Sequence, residues 1–194
     1  MDKSKNSEQK INLNNDNNNN QQNEMFKNEF QYEKEVINEI IIELKISDEK
    51  EKEINILCDK NKLIQDIKRK EDYYKINNIN PPKEFNYFNK NKTKLYLNDK
   101  EIEFNYKLKF NKKGTYKIKI KSNINLYSLS NMFYNCSNII NINFIKFNNN
   151  SVINDMSNMF CWCRNLSKLN LSSFNTNNVT NMGNMFSGCQ NLLN

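Results

Sequence analysis

Five cysteines are the residues of this chain with the widest chemical repertoire, since a thiol serves as a metal ligand, a nucleophile or half of a disulfide bond. Three of them, Cys136, Cys163 and Cys189, follow one another at steps of 27 and 26 residues. Cys161 and Cys163 are separated by one residue, whereas the paired cysteines of a zinc site are usually separated by two to four. The odd number of cysteines weakly favours a reducing compartment. The regular spacing predicts a series of buried small side chains rather than a metal or redox centre.

Other catalytic side chains are scarce. The chain has no histidine, so it cannot form a Ser-His-Asp or Cys-His nucleophile system and has no imidazole base or ligand. Its three glycines, Gly114, Gly183 and Gly188, are too few for a phosphate-binding glycine loop. The acidic residues between Glu33 and Glu53 alternate with lysines and are expected to be solvated. We therefore predict a protein that is not an enzyme and holds no cofactor and no metal.

Lysines supply the strongest local charge, with twelve of them against four acidic residues in the segment 81–122. Over residues 90–121 part of this row alternates with apolar residues, so a hairpin would display the lysines together. Such a surface would bind an anion, which could be nucleic acid, acidic lipid heads or an acidic protein, or it would simply be the solvated side of a sheet. We favour the solvated side, and regard nucleic acid as a poor candidate, because arginines and exposed aromatic residues do not accompany the lysines. The candidate anion-binding residues are Lys107, Lys109, Lys117, Lys119 and Lys121.

The cysteine spacing belongs to a repeat in residues 123–194, each copy of which contains one block with Asn, Met, Phe and Cys at fixed positions. We call residues 129–136, 156–163 and 182–189 the first, second and third blocks. The apolar residues of a block are spaced i, i+3, i+4 and i+7, which predicts a short helix with one buried face. The sequence after the second block, Leu166-x-x-Leu169-x-Leu171, predicts a short strand.

These periodicities predict which repeat residues are buried and which are exposed. The exposed positions of the strands form the candidate partner-binding face, which comprises Asn143, Ile145, Lys168, Asn170 and Ser172. The predicted repeat core comprises Met132, Phe133, Cys136, Ile139, Ile142, Met159, Phe160, Cys163, Leu166, Leu169, Leu171, Met185, Phe186 and Cys189.

The sequence from Met156 to Met182 resembles the BspA-type leucine-rich repeats of bacterial surface proteins, mycoplasma lipoproteins and large protist families. The resemblance covers residues 124–194, with the third copy cut short. It implies a curved solenoid of about three coils that serves adhesion or protein binding and has no enzymatic activity. The first copy departs from the pattern, because Ile139, Ile142 and Phe144 replace leucines, as is common in a terminal repeat that caps an array.

The sequence before the repeats divides into two parts. Residues 1–34 are rich in Asn and Gln, lack apolar periodicity, and predict a disordered tail. Residues 35–122 predict a β-rich domain with strands at 36–46 and 53–57 and a short helix at 63–67, followed by a loop at Pro81-Pro82. Residues 95–110 predict a hairpin with a polar turn at Asn98-Asp99-Lys100, and Gly114 is expected to reverse the chain into a further strand at 116–120 that completes it.

The combined expectation is an α+β protein in which an N-terminal β-rich hairpin domain caps a short leucine-rich-repeat-like solenoid. The expected function is non-catalytic protein interaction or adhesion, with a protein partner whose identity the sequence does not give. The open end of the third copy would permit end-to-end self-association. The sequence as given shows no leader peptide and no membrane span, which predicts a soluble, cytoplasmic chain, although the resembled family is often surface-exposed.

Overall fold

The computed structural model describes residues 36–48, 52–76, 88–147 and 153–192. The predicted tail at residues 1–34 and the predicted loop at Pro81-Pro82 lie outside these residues. The described part of the chain contains two helices and eight strands. The helices are α1 (Lys60–Arg69) and α2 (Glu71–Ile76), and the strands are β1 (Asn38–Ile46), β2 (Lys52–Asn55), β3 (Thr93–Leu97), β4 (Lys100–Ile102), β5 (Lys107–Phe110), β6 (Gly114–Ser122), β7 (Ile139–Lys146) and β8 (Lys168–Asn170).

Strand β1 lies near the middle of a six-stranded mixed sheet with the order β4-β3-β6-β1-β7-β8. It is antiparallel to both of its neighbours, β6 and β7, whereas β7 and β8 are parallel to each other. The apolar side chains that alternate along β1 point into the core, and Ile40, Ile42 and Leu44 are completely buried. On the alternate positions Glu43 lies directly opposite Lys117 of β6, a cross-strand pairing of opposite charges that favours this register. The strand predicted at residues 36–46 is confirmed.

The hairpin predictions have two outcomes. The turn at Asn98-Asp99 joins β3 to β4 as predicted, and both residues have positive φ, as a two-residue type I′ hairpin turn requires. The predicted pairing of residues 102–110 with the strand after Gly114 is wrong. Strand β5 instead pairs with β2 in a separate two-stranded sheet, while β6 pairs with β1 and β3.

Helix α1 confirms the helix predicted at residues 63–67, and it lies against the first block. Asp59 caps the helix, because its Oδ1 accepts a hydrogen bond from the Asn61 N–H at 3.0 Å. Leu63 is completely buried in the core shared with the repeats. The N–H of Cys58 donates to the carbonyl oxygen of Met132 at 2.9 Å, so the chain leading into α1 is bonded to the first block directly.

The blocks do not form the short helices that their apolar spacing predicts. Each block is a series of overlapping turns, in which the N–H groups of Met132, Tyr134 and Cys136 donate to the carbonyl three residues earlier. Asn131 and Asn135 have φ of 63° and 59° and occupy the third position of the first and last turns, where a type II turn requires positive φ. The helix prediction is wrong because a right-handed helix cannot contain these left-handed residues.

In the first and second blocks, alternate N–H groups bond toward the next block along the chain. Those of the first block donate to the carbonyls of Asp155, which directly precedes the second block, and of three residues in that block. Those of the second block donate to the carbonyls of Asn181, which directly precedes the third block, and of three residues in that block, at 2.8–3.0 Å in every case. Each of the two interfaces contains four such bonds. The donors are Leu129, Asn131, Phe133 and Asn135 in the first block, and Met156, Asn158, Phe160 and Trp162 in the second.

Phenylalanine rings stack between the blocks. The rings of Phe133 and Phe160 are parallel within 6° with centroids 5.8 Å apart, and those of Phe160 and Phe186 are parallel within 5° at 5.6 Å. Phe144 of β7 meets the edge of both Phe133 and Phe160, so the ring column packs onto the sheet. The buried residues of β1, α1 and the blocks form one contiguous apolar cluster.

The predicted α+β architecture, a β-rich cap domain on a leucine-rich-repeat-like solenoid, is wrong. Strands β7 and β8, which come from the repeats, extend the same mixed sheet that contains β1, β3, β4 and β6. Their short helices are replaced by turns, so the described chain is mainly β-structure built on one six-stranded sheet. The physical reason is that the backbone N–H and carbonyl groups on both edges of β1 need hydrogen-bond partners. Strand β6 supplies them on one edge and β7 on the other.

Candidate functional site

The five residues of the candidate partner-binding face lie on or next to β7 and β8 at one end of the sheet. Asn143 and Asn170 are register partners, and the Asn170 Nδ2 donates to the Asn143 Oδ1 at 3.0 Å. The Asn170 Oδ1 in turn accepts the N–H of Ser172 at 2.9 Å. These bonds fix the orientation of the amides. The structure therefore brings the three polar residues together as one ordered row.

Two further residues of this face supply different chemistry. Ile145 is 49% exposed, which is unusual for a large apolar side chain in a sheet, and Lys168 is exposed at the start of β8. An exposed apolar side chain beside oriented amides offers a partner both a surface to bury and fixed hydrogen-bonding groups.

The candidate anion-binding lysines do not form a single row. Lys107 and Lys109 lie on β5, in the two-stranded sheet, whereas Lys117, Lys119 and Lys121 lie on β6 in the six-stranded sheet. The expected hairpin that would have displayed all five does not exist. The sequence pattern was correct about their alternation with apolar residues and misleading about their partners.

Carboxylates of the protein meet several of these lysines. The Nζ of Lys107 lies 2.7 Å from Asp59 and 3.6 Å from Glu53, and the hydrogen bond to Asp59 raises the pKa of Lys107. On β6, the Lys119 Nζ lies 2.9 Å from Asp99. The hydrogen bond from Lys119, together with the charge of Lys117, lowers the pKa of Asp99. These contacts reduce the positive potential that an anion would meet.

The aromatic ring of Tyr96 faces the same lysines. The Nζ atoms of Lys119 and Lys121 lie 5.8 and 5.9 Å from its centroid, within the range of a cation–π contact. Both ammonium groups therefore contact an aromatic ring of the protein itself. Sequence patterns do not reveal this contact, because Tyr96 is on β3 and reaches β6 only through strand pairing.

The repeat cysteines are structural in this fold. The Sγ of Cys163 donates to the carbonyl oxygen of Phe133, and the Sγ of Cys189 to that of Phe160, each at 3.0 Å. Burial raises the pKa of the thiols of Cys58 and Cys161 to about 12 and about 11, and raises that of Cys136 strongly. Such thiols are poor nucleophiles at neutral pH. Within the described ranges, no three or more His, Cys, Asp or Glu side chains converge as a metal site would require.

The predicted repeat core is distributed over three degrees of burial. Leu169, Leu171 and Cys189 are partly buried, and Phe186 is 43% exposed. The remaining ten residues are buried, namely Met132, Phe133, Cys136, Ile139, Ile142, Met159, Phe160, Cys163, Leu166 and Met185.

Two residues of the third block are more exposed than the periodicity predicts. Met182 and Phe186, which correspond to the buried Met156 and Phe160 of the second block, lie 47% and 43% exposed on the outer edge of the third block. Periodicity assigned all three copies the same burial because their sequences agree. Only the position of a block in the series distinguishes the third copy.

Comparison with known proteins finds a family only for the repeats. Residues 127–194 are similar to the family described as Mycoplasma protein of unknown function, DUF285. A search of curated proteins and a search of solved structures each found no match to the chain. Among the described residues, no helix combines the length and the apolar character needed to cross a membrane.

Proposed function

We propose that this protein is a non-catalytic protein-interaction or adhesion module, whose contact surface is the face of β7 and β8 formed by Asn143, Ile145, Lys168, Asn170 and Ser172. The observation that supports the proposal is the ordered amide row of Asn143 and Asn170 beside the exposed Ile145. Side chains held on strands by mutual hydrogen bonds lose little entropy when a partner binds.

The sequence resemblances support the same class of function. The amino-acid sequence of the blocks resembles BspA-type repeats, which serve adhesion or protein binding. The matching family is described only as being of unknown function, so it adds no activity. Strand β7 is eight residues long and β8 is three, and the five side chains of this face are far fewer than the roughly 20–30 residues per partner of a standard interface. We therefore expect a weak or multivalent interaction.

Photo-crosslinking tests this proposal in cells of the source organism. Ile145 is replaced by p-benzoylphenylalanine in one variant, and the control variant carries the same group at Tyr127, which is 62% exposed. The expected result is a discrete protein adduct from position 145 only, which an excess of unlabelled wild-type protein suppresses and an excess of the Asn170→Asp variant does not.

Two results would overturn the proposal. One is an identical set of adducts, or none, from the two positions. The other is an adduct with nucleic acid that disappears as salt is raised, because phosphate-mediated binding weakens steeply with ionic strength. A protein complex on the face of β7 and β8 should depend little on salt, since Lys168 is its one charged member.

A further inference from the structure

A cavity of about 480 Å³ lies at the end of the six-stranded sheet where β1 ends and β7 and β8 begin. Its volume is in the range of sites that hold small molecules. Five of its seven lining residues belong to β1, to β7 or to the segments that adjoin β1 and β8. The lining residues are Lys45, Ser47, Ile140, Asn165, Ser167, Gln190 and Asn191.

The lining is polar and carries a single charge. Three side-chain amides, two hydroxyls and the Lys45 ammonium surround one apolar residue, Ile140. Among the described residues, no carboxylate lines the cavity. Lys107 and Lys119 differ in this respect, because their ammonium groups lie 2.7 and 2.9 Å from carboxylates. The charge of Lys45 is therefore not balanced within the cavity.

Hydrogen bonds hold the backbone and one amide of the lining in place. The N–H of Lys45 donates to the carbonyl oxygen of Asn138 at 3.0 Å, and the Asn138 Nδ2 donates to the carbonyl oxygen of Lys45 at 3.2 Å. The Asn165 Nδ2 donates to the carbonyl oxygen of Ser137 at 2.8 Å. A ligand that enters the cavity meets polar groups whose positions are already fixed, which reduces the entropy lost on binding.

The same hydrogen bonds determine which groups a ligand must bring. The Ser167 Oγ donates its hydrogen to the carbonyl oxygen of Ile140 at 3.0 Å, so toward a ligand this oxygen acts as an acceptor. The Lys45 ammonium is a donor only. A matching ligand therefore has hydroxyl groups that can donate and an anionic group that can accept.

Other classes of ligand match this lining less well. Phosphate is usually bound by several cationic groups or by a row of backbone N–H groups, whereas this lining has one ammonium. Nucleotide bases are usually stacked on aromatic side chains, and within the described part of the chain none lines the cavity. An apolar molecule would find only Ile140 to pack against.

We propose that this cavity binds an acidic sugar, which is a polyhydroxylated ring that carries one carboxylate. The Lys45 ammonium pairs with the carboxylate, and the Ser167 oxygen accepts a hydrogen bond from a ring hydroxyl. The amides of Asn165 and Gln190 bond to further hydroxyls, and Ile140 packs against the C–H groups of the ring. The cavity shares no residue with the face of β7 and β8, so this site can be tested apart from the proposed protein contact.

An NMR titration of the full, isotope-labelled chain tests the proposal with D-glucuronate as the probe. D-Glucose is the matched control because it has the same ring without the carboxylate, and acetate supplies a carboxylate without the ring. We expect saturable shifts at the amides of Ile140 and Ser167 and at the side-chain amides of Asn165 and Gln190. Glucuronate should bind at least tenfold more tightly than glucose or acetate, because a charge-assisted hydrogen bond is stronger than a neutral one.

Three variants separate the charge from the hydroxyl contacts. Lys45→Gln should reduce the affinity for glucuronate to that for glucose, and the fold should tolerate it because Lys45 is exposed. Ser167→Ala should weaken the binding of both sugars. Lys100→Gln, which removes an exposed lysine from β4 at the opposite edge of the sheet, should change neither affinity.

The proposal is wrong if glucuronate does not bind saturably, if glucose binds as tightly as glucuronate, or if Lys45→Gln binds glucuronate as the wild type does. Shifts centred on the lysines of β6 would assign the binding to another surface. Inorganic phosphate, titrated in parallel, should bind no more tightly than acetate. If phosphate binds more tightly than glucuronate, the cavity is a phosphate site instead.

Discussion

The thiol of Cys163 donates a hydrogen bond to the carbonyl oxygen of Phe133, which lies 3.0 Å away and one block earlier in the chain. The same oxygen accepts the N–H of Cys136 at 3.1 Å, so both of its acceptor sites are used. Cys189 repeats this contact with Phe160. Cysteine recurs at this position because it is small enough for a buried site and still carries a donor.

Replacing Cys163 tests this role. Cys163→Ala should lower the free energy of unfolding more than Cys136→Ala does, by about 1 kcal/mol, the typical net value of one hydrogen bond. The comparison is matched because both side chains are completely buried, while the Cys136 Sγ has only a 3.9 Å contact with the Tyr134 carbonyl. Urea unfolding measures both differences. Equal losses would show that packing, not the thiol donor, selects cysteine.

The buried thiol of Cys58 should make stability fall at high pH. Burial, followed by the charges of Asp59 and Asp66, raises its pKa from 9.0 to about 12 in the folded protein. In this window the unfolded chain loses the proton that the folded chain keeps, so unfolding becomes easier as pH rises through it. Urea titrations of the wild type and Cys58→Val at successive pH values should show a smaller decline in the variant. A decline of the same slope in both would contradict the assignment.

Alanine and glycine should have different effects on stability when they replace an asparagine with positive φ. Asn158 has φ of 54°, a conformation that costs an ordinary residue about 1–2 kcal/mol and glycine almost nothing. Asn158→Ala should therefore lower the thermal midpoint, and Asn158→Gly should leave it close to that of the wild type. If glycine destabilises as much as alanine, the asparagine side chain rather than its backbone conformation is what matters.

Gly188 should not tolerate a side chain. A Cβ placed there would lie 2.6 Å from the Cε3 of Trp162, and the residue has φ of 77°. We expect Gly188→Ala to destabilise the fold by about 1–3 kcal/mol and to shift the emission of Trp162, because the indole must move. Gly183→Ala is the control, since its Cβ would meet only the Asn181 side-chain oxygen at 3.3 Å. Similar effects of both substitutions would contradict the contact.

A substitution in β1 should affect the sheet and the blocks together. Ile42 is completely buried and lies opposite Ile118 of β6 and Ile142 of β7, so Ile42→Ala should cost about 2–5 kcal/mol. Because one sheet and one core join these elements, unfolding followed by Trp162 fluorescence and by far-UV circular dichroism should give the same lowered midpoint. The exposed Lys45→Ala on the same strand should change little. A Trp162 transition that stays in place would mean independent units.

Local patterns predicted the elements that depend on near neighbours. Alternation gave β1 and the exposure of Ile145, the apolar spacing around Leu63 gave α1, and the turn at Asn98-Asp99 gave the β3–β4 hairpin. Each of these elements is encoded by a few adjacent residues, and the periods of strands and helices differ clearly.

The sequence could not predict what depends on distant partners or on the sign of φ. The spacing of Met156, Met159, Phe160 and Cys163 fits a helix and fits successive turns equally well, and the difference lies in Asn158, whose tolerance of positive φ is obscured by the abundance of asparagine. The pairing of β1 with β7 joins residues about a hundred positions apart, which periodicity does not encode. For the same reason the lysines of β5 and β6 were grouped on one surface.

The position of β1 between β6 and β7 also determines what happens while the chain is being made. The strand leaves the ribosome long before either neighbour has been synthesised. Until then its isoleucine side chains are exposed and both of its edges lack hydrogen-bond partners. Strands that are far apart in the sequence pair slowly, and exposed unpaired strands of this kind promote the aggregation of nascent chains. Until β6 and β7 have been synthesised, the isoleucine-rich segment 40–46 is therefore exposed to aggregation.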